Sequence, residues 1–152
     1  MNLSQKCQYA VRALFELARH EEEGPIRIAE IAEAQAIPIR FLQGILNSLR
    51  GSGIVESARG RQGGYRLAKS ARELSVGEVI RFFEGPLIPV TCLTGDGRSF
   101  CSLRGQCVFE SLWKKAQEAL EGVYDTTTFR DLVEADRKME HERRTMVCDY
   151  VI

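Results

Sequence analysis

A chain of 152 residues has room for one hydrophobic core and one long appended element, not for two full domains. Hydrophobic residues at 44% and charged residues at 28% fit an ordinary water-soluble globular protein, and the short apolar runs exclude a membrane-spanning segment. Lys plus Arg and Asp plus Glu balance at 21 each, so the global field announces no nucleic-acid partner, and any such surface must be local.

The opening stretch, Met1-Asn2-Leu3-Ser4-Gln5-Lys6, lacks the apolar centre of a signal peptide, and a cytoplasmic location is expected. That setting keeps thiols reduced, and five cysteines, an odd number, suit a disulfide framework poorly. Over residues 3 to 20, Cys7, Ala10, Val11, Leu14, Leu17 and Ala18 fall on one helical face. Three glutamates followed by Gly24-Pro25 end that helix. A short second helix turns Ile28, Ile31 and Ala32 inward. Pro38 then suits the start of a third, with Phe41, Leu42, Ile45, Leu46 and Leu49 on its apolar face. Gly51-Ser52-Gly53 supplies a left-handed cap.

Two short strand-like pieces follow, Ile54 to Ser57 and Tyr65 to Leu67, joined by a basic, glycine-rich tip. Ser75 and Glu78 have the spacing of a capping box, opening a helix with Val79, Ile80 and Phe83 inward. Residues 87 to 106 show no period, which in a compact domain points to a functional loop or disorder. From Cys107 the pattern is helical again, with Phe109, Leu112, Ala116, Ala119 and Val123 in one row, widened by Trp113 and Leu120. A last helix starts near Thr127 or Thr128 and carries Leu132, Val133 and Met139. The fold class expected is mainly α with a small β-hairpin wing: a winged helix-turn-helix followed by a long helix.

Reading DNA requires an exposed helix face bearing hydrogen-bonding side chains, with cations placed for phosphates. Arg40, Gln43, Asn47 and Arg50 lie on one stripe of the third helix, opposite its apolar face. Arginine pairs with guanine, and glutamine or asparagine with adenine. Between Ser57 and Arg72 stand Arg59, Arg61, Arg66, Lys69 and Arg72 without one acidic residue. That is a local electrostatic footprint despite the zero total, and an arginine on a narrow tip suits the minor groove.

Tyr9-Ala10-Val11-Arg12-Ala13-Leu14, Ile28-Ala29-Glu30-Ile31-Ala32, Phe41-Leu42-Gln43-Gly44-Ile45-Leu46 and Arg59-Gly60-Arg61-Gln62-Gly63-Gly64-Tyr65-Arg66-Leu67-Ala68 together resemble the IscR/NsrR/RirA (Rrf-type) family of winged-helix transcription regulators. The resemblance covers roughly residues 1 to 135, and its most specific piece is the Arg-Gly-x-x-Gly-Gly-Tyr wing. It implies a homodimer on a pseudo-palindromic double-stranded DNA operator, joined through the helix from Cys107 to about Gly122. The divisions expected are a DNA-binding domain over 1–84, a cysteine loop over 85–107, the dimerisation and C-terminal helices over 108–140, and a tail over 141–152.

Cys92, Cys101 and Cys107 are separated by eight and five residues. Structural zinc uses closer pairs, and by itself this spacing reads as ordinary thiols. The resemblance implies more, because cluster-binding members carry three cysteines in this loop. It makes Cys92, Cys101 and Cys107 ligands of an iron–sulfur cluster, two-iron or four-iron, sensing redox, nitric oxide or iron status, often in a repressor. Some members place a histidine three residues after the third cysteine, where this chain has Glu110. Others draw a carboxylate from the partner's first helix, where it has Gln8. Glu110 and the neighbouring Cys7 are the two candidates for the fourth ligand, with burial on the apolar face the competing role for Cys7. An alternative is a cluster-free regulator controlled by a Cys101–Cys107 disulfide or by a small ligand near Trp113. Catalysis is not expected: the two histidines, His20 and His141, lie near no nucleophile motif, and there is no phosphate loop.

Overall fold

Ser4 sets the start of the first helix, its hydroxyl accepting from the Cys7 amide at 3.2 Å, and α1 runs Gln5–Arg19. The computed structural model describes residues 2–60, 63–93, 103 and 105–148. α1 is the hub. Cys7, Ala10, Ala13, Leu14, Leu17 and Ala18 are all buried, and the three alanines let other elements approach it closely.

α2 (Ile28–Ala34) buries Ile31 and Ala32, and the Arg27 amide at its start donates to the Glu30 carboxylate at 2.9 Å. A turn with Ala36 in the left-handed region (φ 47°) leads to Pro38, the N-cap of α3 (Ile39–Gly51). α3 packs on α1 and α2 through Leu42, Ile45, Leu46 and Leu49. Phe41, expected on that inward face, is instead 63% exposed. The core-facing arc of α3 is filled by the other four residues, and Phe41 lies beside it with its ring 6.5 Å from that of Tyr9. Gly53 (φ 76°) turns the chain out of the helix, as its cap position predicts.

The hairpin pairs β1 (Val55–Ala58) with β2 (Gly64–Leu67) in antiparallel register, Val55 opposite Leu67 and Ser57 opposite Tyr65. Ile26 adds a short third edge through a bridge to Tyr65. α4 (Val76–Glu84) begins at Ser75, whose hydroxyl accepts from the Glu78 amide at 3.2 Å; this is the Ser75 half of the predicted capping box, while the Glu78 carboxylate goes to Lys69 instead. A 3₁₀ turn, Thr91–Leu93, precedes α5 (Glu110–Thr126) and α6 (Phe129–Cys148), which continues through much of the expected tail.

The last two helices hook back onto the winged domain. The Thr127 carbonyl accepts from the Val76 amide at 2.9 Å, and Phe129, fully buried, has its amide on the Leu74 carbonyl at 3.1 Å. Arg81 on α4 grips Asp125 on α5 with Nη2 at 2.7 Å from Oδ2. Among the described residues no helix is long and apolar enough to cross a membrane.

One buried carboxylate joins α1 to the helix-turn-helix. Glu16, 4% exposed, accepts from Gln35 Nε2 at 2.6 Å and faces His20 Nε2 at 3.1 Å, while His20 Nδ1 faces Glu23 at 2.6 Å. Only the imidazolium can donate to both carboxylates. Burial works against that charge, but the hydrogen bonds His20 donates to Glu23 and Glu16 outweigh it, and the His20 pKa stands above its ordinary 6.5. The stabilisation is therefore complete below pH 6.5 and fades as pH rises through the folded-state pKa. His20→Ala is expected to destabilise by about 0.5 kcal/mol more at pH 5.5 than at pH 8.5, because the pair is partly exposed. Urea unfolding at the two pH values measures it; equal losses at both would remove the charged bridge.

Candidate nucleic-acid interface and cysteine loop

α3 and the hairpin lie side by side and present one surface. Arg40, Gln43, Asn47 and Arg50 are all exposed on α3, opposite the four leucine and isoleucine side chains that anchor it. Arg40 and Gln43 lie in the N-terminal half of the helix, the part of a recognition helix that meets base edges in helix-turn-helix proteins. Arg40, Arg50 and Arg59 form no ion pair among the described residues. Arg61 lies outside those residues.

The wing is less positive than its sequence. Arg66, exposed in β2, stands opposite Glu56 in the hairpin register and pairs with its carboxylate. Lys69 gives its ammonium to Glu78 at 2.6 Å. Both pairs depend on three-dimensional neighbours outside the acid-free run, so counting cations along the chain overstated the field. Arg59 at the base of the tip is exposed.

Glycine shapes this wing where the backbone crowds. A Cβ on Gly63 would lie 2.5 Å from the Ala58 carbonyl oxygen, and one on Gly64 would lie 2.2 Å from that of Ile26. Only glycine allows both approaches. Tyr65 follows, and its hydroxyl accepts from Gln43 Nε2 at 3.2 Å, a bond from wing to recognition helix that sequence reading missed. The partners are 22 positions apart, so no local pattern marks them.

The structure places two of the three loop cysteines. Cys92 is exposed on the 3₁₀ turn, Cys107 is half-buried just before α5, and both are free thiols. The turn that carries Cys92 packs against α5. Cys101 lies outside the described residues. Among those residues no three His, Cys, Asp or Glu side chains gather closely enough to hold a metal. Sulfurs on either side of a loop, bound in no disulfide, fit a thiolate-bound iron–sulfur group, which takes soft donors.

The two fourth-ligand candidates differ sharply. Glu110 opens α5, three residues after Cys107, with its carboxylate 2.6 Å from Lys114 Nζ. Cys7 sits in the core at 0% exposure; burial, with the Glu84 carboxylate beside it, pushes its thiol up to about 11. A thiol held neutral in the core is a poor ligand.

α5 itself has no buried residue. Val108 and Phe109 just ahead of it, and Leu112 and Val123 on it, are 80%, 55%, 52% and 62% exposed. A cavity of about 350 Å³ lies between α1 and α3, lined by Lys6, Tyr9, Arg40, Phe41 and Gly44 among others; Trp113, where the alternative reading puts a small ligand, is not among its lining residues.

Residues 3–135 match a family model, Rrf2, described as an iron-dependent transcriptional regulator. The HTH-type transcriptional regulator IscR of Serratia proteamaculans (strain 568) is 35% identical, over 95% of this chain and 91% of that protein. IscR of Pectobacterium carotovorum subsp. carotovorum (strain PC1) is similar to the same degree, 35% over 95% and 91%. Among solved structures, CymR (YrzC), the global cysteine regulator of B. subtilis, superposes with a TM-score of 0.74 at 31% identity, covering 89% of this chain and 98% of that one. T. potens IscR gives 0.72 at 35% identity, covering 90% and 88%.

Proposed function

The chain belongs to the Rrf2 family of transcriptional regulators, and from that premise we propose that it binds a pseudo-palindromic DNA operator as a homodimer, controlled by an iron–sulfur cluster on Cys92, Cys101 and Cys107. Its homologues and its fold are those of regulators, not enzymes. The observation that carries the DNA reading is the exposed polar row of α3 standing beside the glycine-shaped wing and bonded to it through Tyr65. In this reading Gln43 and Asn47 meet base edges in the major groove, Arg40 and Arg50 meet guanine or phosphate, and the wing arginines 59, 61 and 66 follow the minor groove and backbone.

The apolar row of α5 is the dimer contact, since a helix exposing such a row is incomplete alone. Cys92, Cys101 and Cys107 hold the cluster, with Glu110 as the fourth donor because it neighbours Cys107 while Cys7 is committed to the core. When bound, such a cluster supplies a centre whose oxidation and ligands respond to oxygen, nitric oxide or iron supply. The chain's part is to bind it at the N-terminus of α5 and to tie the other end of α5 to α4 through Asp125 and Arg81. Changes in the loop thereby reach the helix that sets the spacing of the two recognition helices.

Anaerobically purified protein is expected to absorb broadly in the visible and to carry iron and sulfide in stoichiometric amounts. Cys92→Ala/Cys101→Ala/Cys107→Ala should lose both and shift operator affinity or sequence choice. A colourless wild type that also resists reconstitution would overturn the cluster. It would leave a DNA-binding dimer controlled by thiol oxidation or by a small ligand.

A further inference from the structure

Gly64 and Tyr65 fix where the wing stands relative to α3. Without a Cβ on Gly64, β2 runs directly against the Ile26 segment. Tyr65 is then held by its backbone on both edges. Its amide donates to the Ile26 carbonyl at 2.8 Å, its carbonyl accepts from the Ile26 amide at 3.0 Å, and Ser57 stands opposite it in the hairpin. From that fixed base its hydroxyl takes a hydrogen from Gln43 Nε2 at 3.2 Å.

We infer that Tyr65 is a specificity-determining positioning residue, which orients the Gln43 amide so that α3 selects adenine over guanine. The inference rests on Gln43 being a base contact. A glutamine amide turned by half a rotation exchanges its acceptor and its donor and no longer matches the adenine edge. With Nε2 engaged by Tyr65, Oε1 remains to accept and the second Nε2 hydrogen to donate. That pair matches the N6 donor and N7 acceptor of adenine. Guanine shows two acceptors, O6 and N7, on the same edge and opposes Oε1. An amide released from the phenol turns more freely and discriminates less. The wing thus acts on the major groove without touching it.

The test uses the full-length protein on a randomised duplex library at one salt concentration, sequencing the bound fraction. Gln43→Ala should flatten preference at one base pair in each half-site. Tyr65→Phe, which keeps the ring and removes only the hydroxyl, should lower the adenine-to-guanine ratio at that pair about fivefold, the effect of one neutral hydrogen bond. It should leave the other positions and thermal unfolding unchanged, and add nothing in a Gln43→Ala background. If Gln43→Ala flattens its pair while Tyr65→Phe leaves the ratio intact, the positioning role falls alone. A Tyr65→Phe effect that survives without Gln43 also overturns it, since Tyr65 would then contact DNA itself. If Gln43→Ala flattens nothing, Gln43 is no base contact and the inference falls with that reading.

Discussion

Replacing Leu112 and Val123 together by glutamate is expected to leave a folded monomer whose operator affinity is lower by about two orders of magnitude or more. Both side chains are more than half exposed in the single chain, so the fold loses little, as surface substitutions generally do. The dimer loses much. Burying one Leu or Val fully contributes about 1.5–3 kcal/mol, a symmetric contact uses each residue twice, and the variant places four carboxylates where those side chains met. The effect on DNA follows from geometry. In a dimer the second half-site is captured within one complex, at an effective concentration far above that of free protein; a monomer binds each half-site alone. Sedimentation at micromolar protein and operator titration at fixed salt measure the two consequences separately. A variant that stays dimeric moves the interface off α5. One that is monomeric yet binds as tightly as wild type sinks the pseudo-palindromic reading.

The parts of this molecule that could be read from its sequence are those governed by neighbours a few residues apart. The Ser75 cap, the glycine exit from α3 and the alternation of inward Leu42, Ile45, Leu46 and Leu49 are all set within one or two turns, and all are present. Phe41 failed because an apolar stripe wider than the core has to leave one member outside, and the stripe does not say which. Glu16 looks like any surface charge until Gln35, 19 positions on, is folded against it. The wing follows the same rule: Arg66 meets Glu56, ten positions away, in an exposed pair only because the hairpin register sets them opposite each other. At the candidate site, the residue types on α3 were legible, but the bond from Tyr65 that ties helix to wing was not. It depends on where two elements meet. The cysteine spacing was the least informative signal, since a loop without period carries no geometry; the family resemblance rather than the residues gave it meaning.

Gly64→Ala is expected to cost about 2–3 kcal/mol of stability, although a different glycine makes the shorter prospective contact. A Cβ on Gly77 would lie 1.9 Å from Asp125 Oδ1, against 2.2 Å for Gly64 and the Ile26 carbonyl oxygen. What each collides with decides the outcome. Asp125 presents the tip of a side chain that can turn away, giving up an ion pair with Arg81 whose partners are 36% and 42% exposed. Such a pair is worth about 1 kcal/mol at most, and alanine in a helix recovers about as much over glycine. Gly77→Ala should therefore be nearly neutral. Gly64 meets three backbone atoms, Ile26 O, Ile26 C and Arg27 N, and none of them can rotate clear. The Ile26 and Tyr65 strands must part, losing both hydrogen bonds of their bridge at about 1 kcal/mol each. For a domain of this size the corresponding fall in melting temperature is about 5–10 °C. Parting the strands also carries Tyr65 away from Gln43, so Gly64→Ala should weaken operator binding and blur base choice together, at temperatures where it remains folded. Calorimetry alongside operator titration separates the two glycines. Equal melting temperatures for Gly64→Ala and wild type would mean that the Ile26 edge does not hold the wing.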